Sequence, residues 1–405
     1  MKIIPFKAVR PTRDKVHLVA SRSYVTYTTR QLREKLHHNP YSFLHIIHPD
    51  LGAKKLHKLE NNSSRFELVR KKYLEFVAEG ILRRDDKPCF YLYRQTKNYH
   101  AFTGLIAGVS LGDYLDGKIK VHEQTLSKRE TIFTEYLEVT GINAEPVLLT
   151  HQHSPALEKI FSNYLSMPAE YDFTQTTRAR HQLWPIENEK DIQAITSLFR
   201  NVSSFYIGDG HHRMASSVRL MKLQQKKSSP INDNVNHCMA FLLDENDVRI
   251  FEFNRLIKDL NGMSEKQFVE RLSENFLVTE QKSEFKPMEK GEFSLYLPKR
   301  WFKLSVRKQK KNVIDSQLLT DLVLSPILSI HDLRTDKRIR FMEGPKGLTG
   351  LKHAVDRGKF AAAFCLAPIT MEEMKRVADS GKFMPPKSTW IEPKLRSGMV
   401  VCELT

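Results

Sequence analysis

Few cysteines and no long apolar run mark this chain of 405 residues. Cys89, Cys238, Cys365 and Cys402 stand far apart, with no pair at metal-ligand spacing, which argues against a structural zinc site and against a disulfide framework. They are expected to be reduced and packed. No run of about 18 uncharged apolar residues occurs, and Met1-Lys2-Ile3-Ile4-Pro5-Phe6 lacks a signal-peptide apolar segment. Export and membrane spanning are therefore not expected, and the cytoplasm is the expected compartment. Acidic residues are scarce beside basic ones, 47 against 64, and the net charge of +17 favours anionic partners: nucleotides, phosphorylated metabolites or nucleic acid. Basic residues are spread along the chain, with only short clusters such as Arg307 to Lys311 and Lys226-Lys227, so no dedicated DNA-binding face is expected. Repeats and low-complexity tracts are also missing. What is present, 40% hydrophobic and 27% charged residues, suits two or three globular domains.

Hydrophobic patterning predicts an α+β protein. Thr29 to Leu36 reads as a short helix, Phe43 to Ile47 as a buried strand, and Ser64 to Glu79 as a helix with Phe66, Val69, Tyr73 and Phe76 inward. His45 and His48 are expected to be ordinary packing or surface residues. Cys89 to Tyr93 and Thr103 to Ser110 have strand composition and are expected to pair. Residues 126–200 look mainly helical, with Trp184-Pro185 as punctuation. Strands follow at Cys238 to Leu243 and Val248 to Phe253. Beyond about residue 260, Ser264-x-x-Gln267 opens a helix with Phe268, Leu272 and Phe276 inward, and Phe293 to Leu297 with Trp301 to Val306 reads as a hairpin. Asp315 to Leu324 reads as a helix and Phe360 to Leu366 as a buried strand. Thr370-x-x-Glu373 caps a helix that places Met371, Met374 and Val377 inward and ends at Gly381; Phe383 to Trp390 is then an exposed turn.

The densest polar motif is Gly208-Asp209-Gly210-His211-His212-Arg213. It follows the β-type run Phe205-Tyr206-Ile207 and precedes Met214, Val218 and Met221 at helical spacing, so it reads strand, tight turn, helix. The first turn of a helix offers free N–H groups and the positive end of its dipole, and His211, His212 and Arg213 add side-chain donors where a phosphate would sit. Asp209 is placed to hold a metal or a substrate amine. A surface cap is the plain alternative for such a short motif. Two further motifs stand at element ends: His122-Glu123 and Lys387-Ser388-Thr389. Phosphoryl transfer needs a cationic cradle, an acceptor for the hydroxyl proton and partners for the substrate's charges. The three motifs supply these in turn, with Lys387 and the two hydroxyls suited to a carboxylate or phosphate.

At these residues the sequence resembles a known family. His122-Glu123-Gln124, Asp209 to Arg213 and Pro386-Lys387-Ser388-Thr389 look like the ordered motifs of the nucleotide-dependent free-serine kinases, and Phe360 to Gly381 is also similar to theirs. The whole chain also looks like a large bacterial family of domains of unknown function, an enlarged relative of those kinases. The resemblance implies a ParB/sulfiredoxin-like catalytic domain over 113–258 with a helical insertion at about 126–200. It implies an N-terminal α+β extension over 1–112 and a C-terminal α+β substrate subdomain over 259–405. The implied activity interconverts free L-serine and O-phospho-L-serine with ADP or ATP and Mg2+, in either direction. It implies Glu123 as base, Asp209 and His211 as further catalytic residues, and Gly210, His211, His212 and Arg213 around the phosphates. Asp209 would hold the metal, with His122, Lys387, Ser388 and Thr389 at the substrate. The first 110 or so residues have no clear counterpart in the small kinases, and the connection from Glu123 to Asp209 is longer here. Two other readings compete. A phosphoserine phosphatase without nucleotide would use Asp209, His211 and His212 as metal ligands. A ParB-like nucleic-acid-binding protein would share the turn, but strands, not a helix-turn-helix, follow it. A sulfiredoxin-type reductase needs a cysteine in this turn, which has none.

Overall fold

The computed structural model describes residues 1–23, 26–49, 62–227, 232–308 and 312–404, so the basic run at 307–311 lies partly outside the described residues. The chain is mixed α+β and divides into two compact units. One comprises Met1–Lys120, Thr125–Val248 and Pro393–Thr405; the other comprises Val121–Gln124 and Arg249–Glu392. These units cut the chain elsewhere than 1–112, 113–258 and 259–405, because strands from the first two of those segments share one sheet.

In the first unit that sheet has nine strands among the described residues. They are β1 (Ile3–Ile4), β2 (Phe90–Lys97), β3 (His100–Ser110), β4 (Ile119–Lys120), β5 (Val147–His151), β6 (Tyr171–Thr174), β7 (Arg180–Ile186), β8 (Phe205–Asp209) and β9 (His237–Asp244). The spatial order is β4-β8-β5-β9-β3-β2-β7-β6, with β1 beside β3. β2 and β3 form the expected pair, joined at Asn98 and Tyr99, whose φ values of 50° and 63° suit a tight two-residue hairpin turn. β9 pairs parallel to β5 and antiparallel to β3, which explains its continuous apolar run from Cys238 to Leu243. A second, four-stranded sheet joins Leu82–Arg84, Ala8–Pro11, Val401–Glu403 and Ile142–Asn143.

The helices of this unit include α1 (Thr29–His38), α2 (Leu44–Ile47), α3 (Asn62–Ala78), α4 (Ser127–Thr140), α5 (Glu189–Arg200) and α6 (His211–Gln225). Phe66, Val69, Tyr73 and Phe76 of α3 are buried as their spacing requires. Two expectations are corrected. Phe43 to Ile47 is a helical turn, since Ile47 donates to the Phe43 carbonyl and the short apolar run satisfies helix and strand alike. The 126–200 region is only partly helical: β5, β6 and β7 run through it, and Trp184-Pro185 sits inside β7, paired with Leu92 and Tyr91.

The second unit is built on a seven-stranded sheet of β10 (Arg249–Ile257), β11 (Phe276–Gln281), β12 (Glu292–Leu297), β13 (Arg300–Val306), β14 (Ile339–Glu343), β15 (Ala362–Leu366) and β16 (Thr389–Glu392). Its order is β11-β13-β12-β15-β10-β14, with β16 also paired to β10. α7 (Glu265–Leu272) and α8 (Asp315–Leu319) cover one face, where Phe268, Leu272, Leu318, Phe293 and Phe364 share a core. The other face packs Leu256, Tyr296, Trp301, Leu351, Val355 and Ala363. α9 (Met371–Asp379) opens on the capping box of Thr370 and Glu373. All four cysteines are free and buried. No helix among the described residues is long and apolar enough to cross a membrane.

Candidate functional site

In the first unit, β8 delivers the chain to Asp209, Gly210 turns it with φ +99°, and α6 begins at His211. The turn requires glycine: a Cβ at 210 would stand 2.9 Å from Nε and from NH2 of Arg213, in a backbone region that L side chains rarely adopt. Arg213 is folded back beneath the turn, with NH2 3.3 Å from Asp209 Oδ2 and NH1 2.9 Å from Glu145 Oε2. Lys394 reaches the other oxygen of Asp209 at 3.5 Å. Gly210 supplies no capping side chain, so the first-turn N–H groups of α6 face the turn with cations around them.

The electrostatics follow from this packing. Partial burial opposes ionisation of Asp209, but Lys394, Arg213 and His211 outweigh it and hold its carboxyl below the usual range. His211 is buried, and burial pushes its imidazole down to about 4; Asp209 opposes that shift, and His212 and Arg213 add to it. His211 is thus a neutral ring at pH 7, able to donate or accept one hydrogen bond. Behind the turn, Arg213 and Glu145 line a cavity of about 400 Å³ whose opposite wall includes Phe66, Val69, Phe133 and Tyr136.

His122 and Glu123 belong to the second unit. The His122 ring is buried and Glu123 is exposed. Met384 N donates to the His122 carbonyl at 2.9 Å, which ties this segment to the turn carrying Lys387, Ser388 and Thr389. That turn is not exposed throughout, since Met384 and Ser388 are buried. Ser388 Oγ donates to the Pro385 carbonyl at 2.7 Å and lies 2.8 Å from Ser316 Oγ, so its hydroxyl fixes the turn. Lys387 is exposed, adopts φ +57°, and holds its ammonium 5.3 Å from the centre of the Phe253 ring. Thr389 is half-buried and opens β16 opposite Glu252.

The expected site residues thus form two sets. Asp209, Gly210, His211, His212 and Arg213 are gathered on the first unit, and His122 is joined to the Lys387–Thr389 turn on the second. Sequence reading missed Glu145, Lys394 and Arg255. Arg255 is wholly buried and donates to the carbonyls of Phe253 and, at 2.9 Å, Lys387; burial lowers its guanidinium to about 9. None of the three stands in a motif, and only the fold brings them to the turns they brace. Among the described residues no group of three or more His, Cys, Asp or Glu side chains is placed to hold a metal. One carboxylate, Asp209, matches magnesium carried mainly by phosphate oxygens and water, not a protein cage.

Against solved structures, the chain is similar to a free serine kinase mutant in complex with AMP, at 19% identity and a TM-score of 0.39, over 73% of this chain and 91% of that one. A free serine kinase mutant in complex with ADP matches with the same identity, coverage and TM-score. A conserved hypothetical protein from Pyrococcus furiosus matches at 19% identity and a TM-score of 0.38, over 74% of this chain and 95% of that one. A comparison with curated proteins finds no match. Residues 3–325 match the family described as "Protein of unknown function (DUF1015)", and the chain belongs to that family.

Proposed function

We propose that this protein is a phosphotransferase that interconverts free L-serine and O-phospho-L-serine with an adenine nucleotide, ADP or ATP. The observation that carries the reading is the Asp209–Arg213 junction: a glycine-only turn into a helix N-terminus, with Arg213 and Lys394 beside it and a neutral His211. Such a junction offers oriented N–H donors and positive charge to a phosphoryl group. In the forward direction the serine hydroxyl oxygen attacks the terminal phosphorus, the phosphoanhydride bond breaks, and the shortened nucleotide leaves. Glu123, which is exposed, takes the hydroxyl proton. Gly210, His211, His212 and Arg213 hold the transferred phosphoryl group, and His122, Lys387, Ser388 and Thr389 position the amino acid. Magnesium at Asp209, when bound with the nucleotide, supplies charge neutralisation. The same reading makes 113–258 a ParB/sulfiredoxin-like catalytic domain, with 1–112 as its extension and 259–405 as its substrate part.

The test is phosphate transfer by the purified protein among serine, phosphoserine, ADP and ATP, wild type beside Glu123→Gln. Loss of the base is expected to slow transfer about 100-fold or more. No transfer in either direction, or full activity in the variant, overturns the assignment.

A further inference from the structure

Buried polar side chains collect on one face of the second unit's sheet. Leu256 of β10 packs with Tyr296 and Cys365 on that face, and strand alternation puts Asn254 and Glu252 on the same side. The register is continuous across three strands: Arg255 pairs with Phe364, so Asn254 stands level with Cys365, and Cys365 pairs with Ser294. At the other end Glu252 pairs with Thr389, whose side chain shares its face. Glu252 is 2% exposed, and Asn254 and Ser294 are 0% exposed. Yet both amide atoms of Asn254, the hydroxyl of Ser294 and Oε2 of Glu252 have no hydrogen-bond partner among the described residues. The other oxygen, Oε1, lies 3.5 Å from the half-exposed ammonium of Lys286, which marks the side facing solvent. Gly344 presses its backbone against the carboxyl group so closely that a Cβ there would stand 2.8 Å from the Glu252 carboxyl carbon.

Buried donors and acceptors are normally satisfied, by protein, water or ligand. Here a carboxylate and an amide oxygen accept, an amide nitrogen donates, and a hydroxyl does either. A hard cation held here without phosphate oxygens would want more carboxylates than one, and an anion would meet Glu252 head-on. A primary ammonium matches the acceptors: its three N–H donors and positive charge suit a carboxylate, an amide oxygen and a hydroxyl.

We propose that Glu252, Asn254 and Ser294 form a subsite for the primary ammonium group of a small amino-acid ligand. Calling that ligand an amino acid rests on the phosphotransferase reading above; the ammonium preference rests on the side chains alone. The subsite makes amine recognition, not only the hydroxyl and carboxylate, a determinant of which alcohol is accepted.

The test is calorimetric titration of the full-length protein with L-serine, its amine-free analogue 3-hydroxypropanoate, L-alanine and ethanolamine. Wild type is expected to bind L-serine at least tenfold more tightly than 3-hydroxypropanoate. In Glu252→Gln that gap closes while 3-hydroxypropanoate stays within about twofold of its wild-type affinity. Ser294→Ala, which removes one small group from the sheet face, is expected to weaken L-serine about threefold to tenfold with an unchanged melting temperature. Equal loss of both ligands in Glu252→Gln, unchanged serine affinity in both variants, or no binding of any primary amine to wild type overturns the subsite. If alanine or ethanolamine binds in a Glu252-dependent way while serine is neither bound nor phosphorylated, the subsite stands and the serine reading falls. If serine is phosphorylated at the same rate and affinity by Glu252→Gln, the reverse holds.

Discussion

Gly210 and Arg213 constrain each other. The φ of +99° selects glycine, and the guanidinium lies where a Cβ would be, so backbone and side chain would both have to yield to any substitution. Gly210→Ala is therefore expected to destabilise the protein by about 1–3 kcal/mol, from the left-handed backbone strain and the displaced ion pairs of Arg213 with Asp209 and Glu145. Urea unfolding of the variant measures this, and a midpoint equal to wild type would show that the turn relaxes freely. The Gly-Asp-Gly pattern made this junction readable from sequence because few residue types tolerate the conformation. The cations that complete it were not readable in the same way. Lys394 lies 185 residues beyond Asp209 in a loop with no motif, and only the return of Pro393–Thr405 to the first unit makes them neighbours.

Elements with strong local rules were legible: the capping boxes at Ser264 and Thr370, the stripe of α3, and the strand-turn-helix at β8 and α6. The failures came where tertiary pairing decides. Phe43 to Ile47 carries no period to separate strand from helix, and β5 and β7 become strands because neighbouring strands bury them. The turn from Met384 to Thr389 shows the same limit at side-chain level. Its composition suggests donors for a ligand, but the Ser388 hydroxyl is engaged with Pro385 and Ser316, and the Lys387 carbonyl with Arg255. Removing a buried hydroxyl that has two partners leaves Ser316 short of an acceptor. Ser388→Ala is thus expected to lower stability by about 1–3 kcal/mol, whereas the exposed Lys387→Ala changes it by under about 1 kcal/mol. Thermal unfolding of the pair checks the order. Equal effects would mean that the turn is not held through Ser388.

At the scale of the whole molecule, the two units respond to acid with opposite signs. Burial lowers His181 to about 3 and His211 to about 4, and it also depresses His45, His151 and His237, all in the first unit. Each ring is neutral when folded, while in the unfolded chain it takes a proton near pH 6.5, so the stability is present above that pH and is lost as pH falls towards the folded value. Between pH 7 and pH 5, His181 and His211 alone remove on the order of 4 kcal/mol from the first unit. In the second unit, burial raises Asp315 to about 6 against the pull of the Gly291 N–H. A raised carboxyl binds its proton more readily in the folded state, so acidification through pH 6 adds roughly 1 kcal/mol there, an increment absent at neutral pH. Tryptophan fluorescence can read the two separately, because Trp184 lies in the first unit and Trp301 and Trp390 in the second. In the doubly substituted Trp301→Phe, Trp390→Phe protein the urea midpoint is expected to fall from pH 7 to pH 5. In Trp184→Phe it is expected to hold or rise. Midpoints that fall together would mean that the units unfold as one, and the buried histidines of the first unit would then set the acid stability of the entire chain.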